Sequence, residues 1–263
     1  MQTSKSPSYI TVVPAYQSTL AASEALALVQ LKRLSVHNIS LVCPGHLEVT
    51  AYLDLIPDLR VIRLPEEHFT SVQSYNALML QPWFYELFAN DYEWMLVHQL
   101  DAFLLSNHIN DFCESGYHYF GAPWRIGFPQ SRFLFNRWPI TINRKRFHVG
   151  NGGLSLRHLE KTVDLLHRKK DHVSRTFFME DAFFGYWGVM DQHFHACPIN
   201  TAATFSLESD PEHWMTITNT LPMGFHGHGV WSSDFYKPLL KSAYTDIIAE
   251  HPHLQYRIQS PYT

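Results

Sequence analysis

The stretch "MLVHQLDAFLL", Met95 to Leu105, places polar groups inside an apolar run. Its flanks suit a strand buried on both faces of a sheet. Its middle holds His98, Gln99 and Asp101. A charged, unpaired carboxylate inside a core costs on the order of several kcal/mol, so Asp101 must reach water or a cation. In open α/β sheets, ligands bind outside the carboxyl ends of the strands. Asp101 stands just past such an end. It suits a hard divalent cation that also touches phosphate oxygens. A turn or helix-cap role is the competing reading.

The surrounding chain supplies the rest of that sheet. "YITVVPA" (9–15), "ISLVCP" (39–44), "LRVIRLP" (59–65) and "YEWMLV" (92–97) read as strands one to four. "STLAASEALALVQLKRL" (18–34) reads as a helix capped by Ser18, and 71–88 as a helix broken by Pro82. Further strands are expected at 117–123, 149–157 and 201–209, and helices at 158–170 and 179–190. Residues 124–147 lose regular pattern and read as a long loop, a place where function concentrates. The alternation predicts a mainly parallel central sheet with helices on both faces. A single domain is expected over residues 1–263, with a C-terminal extension at 210–263.

Composition narrows the class. Of 263 residues, 46% are hydrophobic and 17% charged, enough for a sizeable core. Cys43, Cys113 and Cys197 form no CxxC pair, so neither a disulfide framework nor a cysteine zinc site is expected. The N-terminus lacks the apolar core of a signal peptide, and no apolar run is long enough to span a bilayer. A cytoplasmic location follows as the expectation. Residues 125–175 carry 12 of the 20 Lys and Arg against three acids. That segment suggests an anionic partner, or peripheral contact with the inner membrane, with a solvated basic face as the alternative. No RNP, zinc-finger or helix-turn-helix signature accompanies it, which argues against nucleic acid.

Several motifs have two readings each. "GNGG" (150–153) permits close backbone approach but fits neither the dinucleotide nor the P-loop spacing. It is either a tight turn or a substrate contact. Glu180 and Asp181 in "MED" suit a helix N-terminus, where a cap is the simpler role and a general base the sharper one. His226 and His228 in "GFHGHG" are flanked by glycines, which leaves both imidazoles reachable as ligands.

The motifs "QLDAF", "GAPW", "GNGGLSLR", "EDAFFGYWG" and "GFHGHG", in this order over residues 71–229, resemble a bacterial glycosyltransferase-like family. That family is described as a domain of unknown function and occurs in surface-polysaccharide gene clusters. It is in turn similar to the GT-A nucleotide-sugar transferases. The resemblance implies a GT-A-like, Rossmann-like fold, with a nucleotide-binding half at 1–123 and an acceptor or catalytic half at 124–209, and a hexosyltransferase-like activity. A sugar would pass from a nucleotide-diphosphate donor, a UDP-sugar in expectation, to an anionic glycan or lipid-linked acceptor. It implies donor contacts from Pro14, Ala15, Tyr16, Gln99, Asp101, Gly152 and Gly153, and sugar or acceptor contacts from Trp124 and Asn151. Mn²⁺ or Mg²⁺ would sit on Asp101 with His226, or else His228. The family's Asp-x-Asp motif reads Gln99-Leu100-Asp101 here, which puts metal dependence in question. Asp181, or else Glu180, would take the acceptor proton in an inverting displacement. The reduced metal motif also motivates a second reading, a nucleotide-sugar or glycan-binding module without catalysis. A metal hydrolase is disfavoured because no HExxH motif is present.

Overall fold

In the computed structural model the described residues are 8–34, 36, 38–129, 146–176, 179–227, 231, 233–256 and 258. The central sheet has six strands: β1 Tyr9–Pro14, β2 Ile39–Pro44, β3 Arg60–Leu64, β4 Trp94–His98, β6 Tyr119–Phe120 and β9 Leu154–His158. Their spatial order is β3-β2-β1-β4-β9-β6. The pairs β3–β2, β2–β1 and β1–β4 are parallel, while β9 runs antiparallel to both β4 and β6. Strands β2 and β4 are buried along their whole length, and their sequences are apolar except for Ser40 and His98.

Chain order then produces the crevice. From β1 the chain winds outward through β2 to β3, then returns to the other side of β1 as β4. The order reverses between β1 and β4, so the loops after these two strands part from each other. Pro14 closes one strand and His98 the other.

A second sheet joins β5 Ala102–Leu104, β10 Ser206–Leu207 and β11 Gly224–His226. β11 runs antiparallel to β5, with Phe225 opposite Phe103 and His226 opposite Ala102. A two-stranded ribbon pairs β7 Pro123–Pro129 with β8 Arg146–Val149.

The helices are α1 Ala22–Arg33, α2 Thr50–Leu53, α3 Val72–Leu78, α4 Pro82–Ala89, α5 Ile109–Cys113 and α6 Leu159–Arg168. They continue with α7 Lys170–Thr176, α8 Glu180–Met190, α9 Ile199–Phe205, α10 Pro211–Thr218 and α11 Lys237–Glu250. The main core lies around the sheet. A second cluster joins Leu26 and Val29 of α1 to Phe103, Phe225, Trp231, Leu240 and Ile247. The C-terminal segment is therefore packed onto α1.

Four expectations change. α1 starts at Ala22 rather than after Ser18, because Glu24 reaches back to accept the Ala21 N–H at 2.7 Å. Residues 201–209 are mainly helix: Pro198 caps α9, which buries Ala202, Ala203 and Phe205, and only Ser206–Leu207 is strand. Asn151 adopts a left-handed φ of 55°, so 149–157 is not one strand but a strand end, a turn and β9. The ends of the 124–147 segment are strands β7 and β8, and residues 130–145 lie outside the described residues.

Candidate active site

The crevice at the β1/β4 reversal is a cleft of about 420 Å³. Pro14 and Tyr16 line one wall, Phe69, Ser71, Val72 and Tyr75 another, and Gln99 and Asp101 the floor side. Smaller hollows of about 250 and 280 Å³ sit at the opposite, amino-terminal ends of the parallel strands, around Asn38 and Glu93. Tyr16 is 63% exposed at the cleft mouth. Ala15, in contrast, is fully buried, and its side chain packs into the core. Among the described residues, the cleft lining carries two carboxylates, Glu24 and Asp101, and no Lys or Arg.

Asp101 meets a histidine delivered from far along the chain. The β5–β11 register places His226 opposite Ala102. From there Nε2 of His226 stands 3.2 Å from Asp101 Oδ1 and 3.1 Å from Gln99 Oε1. Trp231 Nε1 donates to the Asp101 carbonyl at 2.6 Å, and the Gly227 N–H donates to it at 3.3 Å. The Tyr75 hydroxyl bonds the Gln99 side chain, and burial holds its proton well above the usual phenol range. His98 lies fully buried nearby, and neither ring nitrogen has a hydrogen-bond partner among the described residues. Burial pushes its pKa down to about 4, so it is neutral at pH 7.

These three donors can be tested against a divalent cation. Cis ligands of an octahedral ion with bonds of about 2.1–2.2 Å stand about 3 Å apart. The 3.1 and 3.2 Å separations match that edge. A carboxylate oxygen, an amide oxygen and an imidazole nitrogen are all suitable donors. Among the described residues no group of three or more His, Cys, Asp or Glu could hold an ion, so the set needs Gln99. Its charge is only −1. His226 Nδ1 is also buried without a hydrogen-bond partner among the described residues, whereas tightly held metals usually have that nitrogen's proton bonded. The residues fit a weakly held cation. His228 lies outside the described residues.

The "GNGG" turn forms the ground beneath both candidate centres. Asn151 turns its amide inward, accepting the Gly153 N–H at 3.4 Å. A Cβ on Gly153 would occupy the place of the His226 imidazole, and a Cβ on Gly152 that of the Glu180 carboxylate. Gly153 also accepts the Gln99 N–H at 2.8 Å. Adjacent glycines thus let the His226 and Glu180 side chains close onto one turn. Trp124, on β7, covers Gly150 and packs edge-on against Phe147.

Glu180 and Asp181 open α8 but differ in surroundings. Glu180 is 4% exposed and ion-paired with Arg157, whose Nη2 lies 3.1 and 3.0 Å from its two oxygens. Asp181 is half-buried, and its Oδ1 accepts the Ala182 N–H at 2.6 Å. Burial, then the charges of Glu180 and Glu208, push the Asp181 pKa up to about 7. A carboxyl group with that proton affinity suits a general base near neutral pH. Arg157 ends the "GNGGLSLR" motif. The sequence signal for it was a cation in an otherwise apolar strand, and only packing shows its partner.

The basic segment is less free than its charge count suggests. Arg157 is buried, Arg168 and Lys169 pair with Asp191, and Arg146 donates to the carbonyls of Ile126 and Gly127. The remaining cations of 130–145 lie outside the described residues.

The sequence profile of a family described as a protein of unknown function, DUF5672, matches residues 58–226, which hold the cleft floor, the "GNGG" turn, α8 and β11. The chain belongs to this family. No curated protein matches it. Solved structures do. The galactosyltransferase LgtC in complex with donor and acceptor sugar analogs is similar to this DUF5672 chain with a TM-score of 0.56 at 12% identity, over 89% of this chain and 95% of that one. The WbbM bifunctional glycosyltransferase gives 0.55 at 12%, over 98% of this chain and 53% of that one. Mouse xyloside xylosyltransferase 1 gives 0.51 at 14%, over 84% and 97%. At such identities the likeness establishes the fold. The chain has a GT-A-like α/β fold, with a mainly parallel central sheet. Among the described residues no helix is long and apolar enough to cross a membrane.

Proposed function

We propose that this DUF5672 protein is an inverting glycosyltransferase that uses a nucleotide-diphosphate-sugar donor. The observation that carries the reading is the cleft at the β1/β4 reversal, with Asp101 at its floor and His226 brought to it by β11. The nucleoside would lie against Pro14 and Tyr16. Among the described residues that line the cleft, two are carboxylates and none is Lys or Arg, so a diphosphate entering it needs a counter-charge. Asp101, Gln99 and His226 would hold Mn²⁺ or Mg²⁺ there, which when bound supplies positive charge against the diphosphate oxygens.

Asp181 is the better base, because the Glu180 oxygens are occupied by Arg157. Asp181 would take the acceptor hydroxyl proton as that oxygen attacks the anomeric carbon. The carbon's bond to the diphosphate oxygen breaks in the same step, and the nucleoside diphosphate departs. A single displacement inverts the configuration. We assign the acceptor to a glycan or lipid-linked sugar of a bacterial surface polysaccharide, on the motif resemblance. Acting there, the protein would work at the cytoplasmic side of the inner membrane.

The test is a thermal-shift screen of nucleoside diphosphates and sugar nucleotides, with and without Mn²⁺. Stabilisation of about 2–4 kcal/mol by one diphosphonucleoside at 100–1,000 times its Kd supports the donor. A flat response to every nucleotide overturns it. Gln99, in place of a carboxylate, favours the second reading of a binding module. Asp181→Asn distinguishes the two. An enzyme loses turnover and keeps donor binding, whereas a module binds the donor and has no turnover in either form.

A further inference from the structure

One buried ion pair, Arg157 with Glu180, has no part in the mechanism above. Arg157 is fully buried on β9, and every polar atom of its guanidinium is engaged. Nε and Nη2 donate to Ser155 Oγ, Nη1 donates to Tyr85 Oη at 2.6 Å, and Nη2 donates to Glu180. The plane lies near the rings of Phe184 and Tyr119, 4.9 and 5.6 Å from their centroids. Tyr85 passes the chain of bonds on to the Met79 carbonyl at 2.7 Å. Stability does not account for this arrangement. Desolvating two ions costs about as much as their attraction returns, and apolar replacements are often neutral or better. Glu180 is held from a second side as well. Its N–H donates to Asn76 Oδ1 at 3.2 Å, and Asn76 Nδ2 donates to the Val72 carbonyl of α3. Val72 and Tyr75 of the same helix line the cleft.

We propose that Glu180, clamped by Arg157 and Asn76, is a positioning residue for Asp181. It fixes the first turn of α8, leaves Asp181 as the carboxylate open to an acceptor, and raises that carboxylate's proton affinity with its own charge. This rests on the transferase reading for the role of Asp181. The charged groups facing Asp181 are Glu180 and Glu208, which raise its proton affinity, and Arg157, which lowers it. Gly152 is the matching concession in the backbone, since any Cβ there would displace the clamped carboxylate.

The experiment is a ¹³C NMR titration of the aspartate carboxyl groups in the full-length protein, with Asp181→Asn assigning the signal. Glu180→Gln keeps the shape and removes the charge. Its Asp181 midpoint should fall by at least one pH unit, and an unmoved midpoint in the folded variant overturns the proposal. Asn76→Ala leaves the ion pair intact and releases the other clamp. Amide exchange at 180–182 should rise about tenfold, and kcat should fall with donor KM unchanged. Unchanged exchange there overturns the proposal even if Glu180→Gln fails to fold. The two readings separate cleanly. A shifted midpoint in a protein with no turnover on any sugar nucleotide removes the transferase reading and keeps the coupling. An active wild type with an unmoved midpoint does the reverse.

Discussion

Asp181 carries opposite signs for stability and for chemistry. Its folded pKa of about 7 lies above the ordinary carboxylate value near 4. The folded state therefore binds the proton more tightly, and the group's contribution is fully present below pH 4 and lost as pH rises through 7. Asp181→Asn should then stabilise the protein at pH 8 by about 1–3 kcal/mol and have no such effect at pH 4, as read from urea unfolding. The same ionisation makes the wild-type rate rise with pH to a plateau above about 7, while the variant loses about two or more orders of magnitude in kcat. Gly153 offers a second single-residue test. A methyl group there meets the far end of the His226 ring, which can move aside. Gly153→Ala should cost less than about 1 kcal/mol of stability but weaken Mn²⁺ binding about tenfold by calorimetry. Gly152→Ala meets a carboxylate locked onto Arg157, and should cost about 2–4 kcal/mol instead.

At the scale of elements, the site depends on strands that are distant in sequence. β11 places His226, and its own position rests on the aromatic stack of Phe103, Phe225 and Tyr236 and on the packing of α11 against α1. Ile247→Ala on α11 removes a fully buried side chain more than twenty residues from the metal donors. It should cost about 2–5 kcal/mol in denaturant unfolding. Cation affinity should fall only under conditions where the C-terminal segment opens, because local opening and global unfolding differ in free energy. α8 was legible as a helix with an acidic first turn. Which acid faced a partner was not, because the partner, Arg157, comes from β9.

Across the whole molecule, one buried and one partly buried histidine lower stability in acid. His98 and His118 both have folded pKa values pushed down to about 4, chiefly by burial. An unfolded chain takes up those protons near pH 6.5, so their contribution is full above that pH and lost as pH falls toward 4. Stability should decline by about 2–4 kcal/mol across that window, partly offset by Asp181, and His118→Gln should flatten the slope measured by urea unfolding.

The sequence by itself determined strands β1 to β4, the helix-strand alternation and the placing of Asp101 just past the end of β4. Those follow from local hydrophobic period and from the cost of ending an apolar strand on Asp101. It also held the motif residues that were assigned to the site. Only the tertiary structure decided which of them meet. Register across β5 and β11 joined His226 to Asp101 and Gln99, and the missing side chains of two neighbouring glycines let His226 and Glu180 close onto one turn. The first outcome depends on a pairing between strands more than a hundred residues apart and the second on the packing of α8 and β11 against one turn, neither of which a local pattern encodes.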